Sequence, residues 1–203
     1  MPAIGITGGI STGKSTFCDC LREIVPSAKF FDADQAARSL VELPEVKQEI
    51  LGRFGSDVFS PEGDLNRTKL RAIVFGDAIK KRSLEQILHP RIRRQWMAEA
   101  NKHRNSPDFF FADIPLLYET GGETFCDRVV VVACSPTVQL ERLAQRKSLK
   151  DFEAEQMINS QMHLEEKIKH ADYVVWNNGD YETLMEQAKK LVALWQKQSW
   201  KKS

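Results

Sequence analysis

The feature that most constrains this chain is a glycine-bordered segment near its N-terminus, Gly8–Ser15, which reads G-G-I-S-T-G-K-S. The short apolar run Ala3–Thr7 precedes it, and a helical pattern begins after Gly13. The segment matches G-x-x-x-x-G-K-[ST] at every fixed position. Glycines permit a turn whose N–H groups point inward, and the positive end of the next helix faces the same space. The sequence therefore predicts a strand, a phosphate-binding loop and a helix.

The two residues that end this loop suit the phosphates of a nucleoside triphosphate. Lys14 can reach the β- and γ-phosphates, and the Ser15 hydroxyl can bind Mg²⁺. A dinucleotide-binding turn is disfavoured, because Thr7 and Ile10 stand where G-x-G-x-x-G needs glycines. We therefore expect ATP and Mg²⁺ as ligands. The predicted nucleotide-binding residues here are Gly8, Gly9, Ile10, Ser11, Thr12, Gly13, Lys14, Ser15 and Thr16.

Further apolar runs alternate with helical patterns along the chain. They predict strands at Ala28–Phe31, Phe109–Ala112, Arg128–Cys134 and Tyr173–Trp176. Near-continuous apolar strands are typical of parallel strands covered by helices on both faces. The pattern predicts one α/β domain over residues 1–203, with a five-stranded, parallel, doubly wound sheet. Its core would comprise about 1–41, 105–136 and 168–203, with a helical insertion at about 42–104 and a lid at about 137–167.

Within the insertion, Leu84, Ile87 and Leu88 suggest one helix, and Pro90 stands where another helix begins. The 203-residue chain has a formal net charge of +1, so no overall field favours nucleic acid or an anionic membrane. No stretch approaches the ~20 apolar residues of a membrane span. The cysteines show no metal-ligand spacing. We expect a cytoplasmic protein with reduced thiols, no nucleic-acid or membrane partner, and a monomeric or weakly homo-oligomeric state.

The loop alone leaves the choice between a GTP-dependent switch and a kinase. A switch would carry D-x-x-G after a later strand, but Asp113–Leu116 has no glycine. It would also carry N-K-x-D near the end, but Trp176–Gly179 has neither lysine nor aspartate at the required positions. The sequence therefore favours a kinase. Another small-acceptor kinase, acting on a nucleoside or nucleoside monophosphate, and a non-catalytic ATP-binding regulator are the alternatives.

A kinase needs a carboxylate at the acceptor hydroxyl and positive charge over the transferring phosphoryl group. Asp32 and Asp34 follow the second predicted strand, at the edge where ligands bind in such sheets. One can orient or deprotonate the acceptor while the other holds Mg²⁺ or its water, and one of them is equally suited to capping a helix. Arg142 and Arg146 share a helix face and can lie over ATP.

Several segments together resemble one known family, dephospho-CoA kinase, almost end to end. Members phosphorylate the ribose 3′-hydroxyl of dephospho-CoA, the last step of coenzyme A synthesis. The joining of T-G-G-I to D-x-P-L-L-x-E is specific to it. The matching segments are Ile6–Ile10, Gly13–Ser15, Asp32–Asp34, Ala37-Arg38, Leu88–Pro90, Asp113–Glu119, Glu141–Leu143, Arg146, Gln161-Met162, Leu164–Lys167 and Ala171–Val174.

The resemblance implies roles for individual residues. Asp34 resembles the catalytic base, assisted by Asp32, and Arg142 and Arg146 resemble lid arginines. Asn177 is similar to a residue near the adenine of ATP. The helical insertion resembles the acceptor-binding lobe, where Arg91, Arg93 and Arg94 are candidates for contacts with diphosphate. The residues that resemble the lining of the acceptor pocket are Thr7, Arg38, His89, Leu117, Tyr118 and Glu119.

The chain departs from the family pattern at three places. Ser11-Thr12 replaces the usual Gly-Ser or Gly-Ala in the loop. The family commonly has a lid arginine near the position of Met157, and it usually has an aspartate where this chain has Trp176. Backbone donors remain available in the loop, so we expect phosphate binding to survive. These departures bear on nucleotide affinity and base preference more than on the reaction.

Overall fold

In a computed structural model, residues 2–147, 151–198 and 200 are described. Five strands form one sheet in the order β2-β3-β1-β4-β5. The pairs β1–β3, β1–β4 and β4–β5 are parallel. The predicted five-stranded doubly wound α/β sheet is thereby confirmed. The strands are β1 (Ala3–Gly8), β2 (Lys29–Asp32), β3 (Phe110–Asp113), β4 (Arg128–Ala133) and β5 (Tyr173–Trp176).

The helices follow the sequence pattern closely, with ends set by local chemistry. α1 ends two residues before Pro26, and α9 begins after Asp180, whose carboxylate accepts a hydrogen bond from Thr183 N at 2.9 Å. The helices are α1 (Lys14–Ile24), α2 (Ala33–Leu40), α3 (Pro44–Phe54), α4 (Arg67–Gly76), α5 (Ala78–His103), α6 (Pro136–Lys147), α7 (Asp151–Asn159), α8 (Leu164–His170) and α9 (Tyr181–Lys197).

The chain divides into two compact units, residues 1–31 with 99–203 and residues 32–98. The first unit contains the sheet residues except Asp32, and its core joins the sheet to α1 and α9. Trp195 is fully buried there, with ring centroids of Phe109 and Phe111 6.2 and 5.9 Å away. This apolar layer fixes where α1 starts, and therefore where the phosphate loop ends.

The second unit is helical, and its small core is built from α3, α4 and α5. The buried side chains of that core are Val41, Val46, Ile50, Val58, Leu70 and Ile87. A single antiparallel bridge, Phe59 to Leu65, is the strand-like pairing described within it. The unit overlaps most of the helical insertion that the sequence predicts, while the lid at about 137–167 stays a prediction.

The expectation that a new helix begins at Pro90 is wrong. α5 continues through Pro90 and runs from Ala78 to His103. A proline inside a helix removes one backbone donor and crowds the preceding turn. The Arg91 guanidinium donates a hydrogen bond to the carbonyl of Ile87 at 2.7 Å, which supplies a side-chain donor beside the proline.

The outer strand β5 is covered by an amide side chain. Gln187 of α9 donates from Nε2 to the carbonyl of Trp176 at 2.8 Å. Its Oε1 accepts from the Trp176 N–H at 3.1 Å. Both backbone groups of Trp176 are therefore satisfied at the end of the sheet edge.

Among the described residues, none of the helices combines the length and the apolar character that crossing a bilayer requires. All four cysteines, Cys18, Cys20, Cys126 and Cys134, are free thiols, as expected from the sequence.

Candidate active site

The phosphate loop lies between the end of β1 and the start of α1, as the sequence predicts. Gly13 precedes the helix with φ 89°, in the left-handed region that favours glycine. A Cβ atom at Gly13 would overlap the side-chain amide of Asn177, and one at Gly8 would overlap the Val132 carbonyl. Both glycines are therefore required by conformation or by close packing.

Ser11 is the one described non-glycine residue with a positive φ, 58°. It occupies the loop position at which the chain departs from the family pattern. An L-residue in the left-handed region is strained by roughly 1–2 kcal/mol, because its Cβ approaches backbone oxygen. The departure therefore leaves the loop geometry intact and places local strain within it.

The loop is held by hydrogen bonds within it and by hydrogen bonds from side chains of other elements. Thr12 is fully buried, and its hydroxyl and N–H donate to the Gly9 carbonyl at 2.9 and 3.4 Å. Gln139 of α6 donates from Nε2 to the Ile10 carbonyl at 2.7 Å. Asn177, directly after β5, donates from Nδ2 to the Thr12 carbonyl at 2.9 Å. The loop is thus tied to two elements distant in sequence.

Lys14 forms an ion pair with Asp113, and their side chains are 14% and 9% exposed. The parallel pairing of β1 with β3 brings the two side chains together, since Asp113 ends β3 opposite Ile6 of β1. The Cys18 thiol donates to the other carboxylate oxygen at 3.5 Å. Burial, followed by the charge of Asp113, raises the pKa of Cys18, so the thiol remains a protonated donor.

A cleft of about 310 Å³ opens beside the loop. Its lining residues are Ser11, Gly13, Thr16, Arg142, Asn177, Gly179, Asp180, Tyr181 and Leu184. One guanidinium nitrogen of Arg142, Nη1, is buried and has no hydrogen-bond partner among the described residues. An anion bound at the loop would satisfy it. Arg146 belongs to α6, but its side chain lies outside the described part of the structure.

The segment after β3 is held in place by contacts with residues distant in sequence. The Thr7 hydroxyl is buried and donates to the Pro115 carbonyl at 2.9 Å. Leu117 is fully buried. Glu119 forms an ion pair with Lys167 at 2.9 Å and accepts from the Met162 N–H at 3.0 Å. Of the residues predicted to line an acceptor pocket, these three are engaged within the first unit.

Tyr118 faces a second cavity of about 310 Å³. Its buried hydroxyl has no hydrogen-bond partner among the described residues, and its ring centroid lies 5.9 Å from that of His170. Burial, and then the charge of Asp172, raise the pKa of Tyr118. The lining residues are Tyr118, Glu123, Cys126, Val129, Met162, His170 and Asp172.

In the second unit, Asp32 caps α2, with its carboxylate accepting from the Gln35 N–H at 2.9 Å. The capping role considered for one of the two aspartates is therefore confirmed for Asp32. Asp34 is exposed in the first turn of the same helix, where its charge suits the positive helix end. Arg38 is exposed in the last turn of α2. It lies four residues after Asp34 and therefore on the same face of the helix.

His89 and the nearby arginines lie along α5. Burial lowers the pKa of His89, although the charge of Glu85 opposes this effect. Arg91 is engaged inside the unit, because it pairs with Glu49 and donates to the Ile87 carbonyl. Arg93 and Arg94 are exposed. Arg91 is thus already engaged within the unit, and contacts of the three arginines with an anionic ligand stay a prediction.

Three residues at the loop were given no role from the sequence: Asp113, Gln139 and Lys167. Asp113 had a usable signal, since it is an acid directly after a buried strand next to β1. Gln139 and Lys167 bond to backbone carbonyls, and such partners leave no pattern in the sequence. Among the described residues, no group of three or more His, Cys, Asp or Glu side chains forms a metal centre.

A parallel sheet with a glycine loop, and a loop lysine that meets an acid on the adjacent strand, are features of a phosphate-loop nucleotide-binding protein. Sequence comparison places the chain within that class. It belongs to the dephospho-CoA kinase family, since the family model described as "Dephospho-CoA kinase" matches residues 2–183. The predicted family and the predicted ATP-dependent phosphotransferase class are both confirmed.

Individual relatives are similar to this chain along almost their whole length. The dephospho-CoA kinase of Listeria monocytogenes is 40% identical over 187 residues, covering 91% of this chain and 92% of its own. That of Fusobacterium nucleatum is 36% identical, covering 92% and 95%. The solved structure of dephospho-CoA kinase from Campylobacter jejuni superposes with a TM-score of 0.71 at 27% identity, covering 94% and 95%.

Proposed function

We propose that the protein transfers the γ-phosphate of ATP to the ribose 3′-hydroxyl of dephospho-CoA, giving coenzyme A and ADP. The observation that carries the proposal is the family match over residues 2–183, which includes both the phosphate loop and the Asp113–Glu119 segment. ATP is the co-substrate of this family's reaction. Neither a nucleoside kinase nor a non-catalytic regulator is favoured by these similarities.

On the phosphate side, we propose that loop N–H groups and Lys14 bind the β- and γ-phosphates. Lys14 suits this role, because its ammonium lies beside the Asp113 carboxylate at the end of β3. Mg²⁺ fits the donor chemistry there: an exposed Ser15 hydroxyl at the start of α1 and the Asp113 carboxylate. Magnesium sites of this kind combine one or two carboxylates with substrate phosphates and supply charge neutralisation. Asp32, with one oxygen free of its cap, is an additional candidate ligand.

On the acceptor side, we propose Asp34 as the base that orients the 3′-hydroxyl and accepts its proton. The hydroxyl oxygen then bonds to the γ-phosphorus as the bond to the ADP oxygen breaks. Asp32 assists, and its cap on α2 fixes the turn that carries Asp34. No covalent enzyme intermediate is needed, since one in-line displacement accounts for both products.

Positive charge over the γ-phosphate comes, in this proposal, from Arg142 and Arg146. Arg142 already borders the cleft with an unsatisfied guanidinium nitrogen among the described contacts. A buried unsatisfied donor is costly, so an anion in the cleft is favoured. Asn177, which lines the same cleft, is proposed to lie near adenine.

We propose that the acceptor pocket is lined by the residues that the family resemblance indicates. Thr7 and Leu117 are fully buried, so their contribution is to support the wall of the pocket. The proposed lining residues are Thr7, Arg38, His89, Leu117, Tyr118 and Glu119. We also propose a cytoplasmic, monomeric or weakly homo-oligomeric enzyme, which cell fractionation and light scattering would test.

The proposal is tested by supplying dephospho-CoA, AMP and uridine in parallel, each with ATP and Mg²⁺. We expect ADP release with dephospho-CoA alone, together with a product heavier by one phosphate in mass spectrometry. Phosphorylation of AMP or uridine but not dephospho-CoA would show a different kinase. Nucleotide binding without any acceptor-dependent ADP release would show a regulator.

A further inference from the structure

Six buried polar side chains of the described residues gather around one segment, the phosphate loop. They are Thr7, Thr12, Asp113, Gln139, Lys167 and Asn177. Burial of polar groups is unfavourable unless each is bonded, so such a concentration indicates a structural demand at this place. The chemistry of the reaction accounts for Asp113, but gives no reason for a buried lysine on α8 or a buried glutamine on α6.

Lys167 is the most demanding of these residues. Its side chain is 0% exposed, and its ammonium donates to Gly8 O at 3.3 Å, to Pro115 O at 2.9 Å and to Glu119 at 2.9 Å. An ammonium has three donors, so these contacts use all of them. Burial lowers the pKa of Lys167, and Glu119 opposes that effect. One side chain thus joins the first residue of the loop to the segment that follows β3.

Gln139 and Asn177 repeat this pattern further along the loop. The carbonyls held by the three side chains belong to alternate residues, Gly8, Ile10 and Thr12. In a trans peptide the C=O and the following N–H point in opposite directions, and no cis peptide is present in the described chain. Fixing these carbonyls on side-chain donors therefore directs the N–H groups of residues 9, 11 and 13 away from those donors.

We propose that Lys167, Gln139 and Asn177 are positioning residues that clamp the phosphate loop by its carbonyls. The three donors come from α8, α6 and the end of β5, so the loop is held from three directions. Their effect is to fix the direction of those N–H groups before any phosphate arrives. Ser11, strained at φ 58°, lies between the clamped carbonyls of Ile10 and Thr12, so the clamp also accounts for how a serine is kept there.

The test measures ATP and ADP affinity by calorimetry in Lys167→Met and Gln139→Met. Losing one loop bond is expected to weaken nucleotide binding about 10-fold, the equivalent of one hydrogen bond. In Gln139→Met, which leaves the Asp113–Glu119 segment untouched, the KM for ATP should rise similarly while the KM for dephospho-CoA stays near wild type. Lys167→Arg, which keeps charged donors, should restore binding to within about threefold of wild type.

Matched controls separate clamping from loss of a polar residue. Lys169→Met removes an exposed lysine of α8 that pairs with Glu166, and Gln145→Met removes an exposed glutamine of α6. Both controls should bind ATP like wild type. If Lys167→Met fails to fold, Gln139→Met decides the question, because it removes one uncharged donor. Wild-type ATP affinity in a folded Gln139→Met variant would overturn the proposal.

Although the turnover readout rests on the proposed function, the calorimetry does not. A protein that binds ATP normally but phosphorylates a different acceptor would contradict the proposed function and leave the clamp intact. A protein that phosphorylates dephospho-CoA but binds ATP equally well without the clamp donors would contradict the clamp alone.

Discussion

The two compact units present their candidate functional residues in opposite ways. In the first unit, Lys14, Asp113 and Asn177 are largely buried and bonded to one another or to the loop. In the second unit, Asp34 and Arg38 are exposed on α2, and His89 is half-buried on α5. The candidate phosphate-binding residues are built into the fold of the first unit, whereas the candidate acceptor residues of the second unit lie on helix surfaces.

This difference follows from what each side must bind. Triphosphate chemistry is the same for every nucleotide, and backbone N–H groups recognise it through a fixed loop geometry. That geometry needs buried support, which an exposed loop would lack. An acceptor is recognised through its own particular groups, and side chains on helix surfaces can supply these without changing the core.

The largest expected effect in this comparison comes from Lys14→Ala. Removing the ammonium takes away charge stabilisation at the transferring phosphate, so kcat should fall by about 10³-fold or more. Steady-state ADP release measures the loss, and circular dichroism establishes that the variant is folded. Lys189→Ala, an exposed lysine of α9 paired with Glu186, should keep wild-type turnover. Undiminished turnover in Lys14→Ala would contradict the proposed role of the loop in phosphate transfer.

Asp34→Asn should lower kcat by about 10²-fold, because the amide cannot accept the proton of the acceptor hydroxyl. ATP affinity, measured by calorimetry, should be unchanged, which would separate the two sides of the reaction. Glu45→Gln is the matched control, since Glu45 is also an acid in the first turn of a helix, α3. Equal losses in both variants would attribute the effect to helix stability and not to the base.

A smaller effect is expected from Ser11→Gly, which relieves a positive φ in the loop. The free energy of unfolding should rise by about 1 kcal/mol, which corresponds to roughly 2–4 °C in Tm for a chain of this size. Thermal unfolding of the ligand-free protein measures it. Gly8→Ser is a useful counterpart: its Cβ would overlap the Val132 carbonyl, so we expect it to destabilise. An unchanged or lower Tm in Ser11→Gly would mean that the loop holds serine without strain.

The smallest expected effect concerns acid sensitivity in the second unit. Burial lowers the pKa of His89 below its ordinary value of 6.5. The neutral imidazole therefore adds stability above that value, and the stability is lost as the pH falls through the lowered pKa. His89→Gln should flatten the fall in unfolding free energy between about pH 7 and about pH 5. Urea unfolding at both pH values measures this, with His163→Gln as the control. An equally steep fall in both variants would assign the acid sensitivity elsewhere.

Some of these features could be predicted from the sequence, and others could not. The loop was readable because glycines, Lys14 and Ser15 occur at fixed spacing, and β5 was located at its observed bounds because Tyr173–Trp176 is an isolated apolar run. The break predicted at Pro90 was wrong, since α5 runs through it, and the Arg91 guanidinium bonds to the Ile87 carbonyl in the turn before the proline. Propensity describes the backbone alone and omits such partners.

Two of the residues that escaped prediction, Lys167 and Gln139, donate hydrogen bonds to main-chain carbonyls of the loop. Lys167 and Gln139 bond to carbonyls of Gly8 and Ile10, and any residue at those loop positions would offer the same carbonyl. Pairing of that kind depends on three-dimensional proximity and leaves no complementary residue type to detect. Asp32 and Asp34 were predicted from their place after the second strand, whereas Arg38 and His89 were reached only through resemblance to a family.

Gln187 has a consequence for how this protein behaves at high concentration. Its side-chain amide bonds to the outer strand as a peptide group of one more strand would, taking both the donor and the acceptor of Trp176. Exposed strand edges otherwise act as templates for pairing with another molecule. A strand arriving from a second copy would have to displace that amide before it could add to the sheet at this position. Gln187 thereby opposes edge-to-edge pairing at this one position of β5, beside the exposed side chain of Trp176.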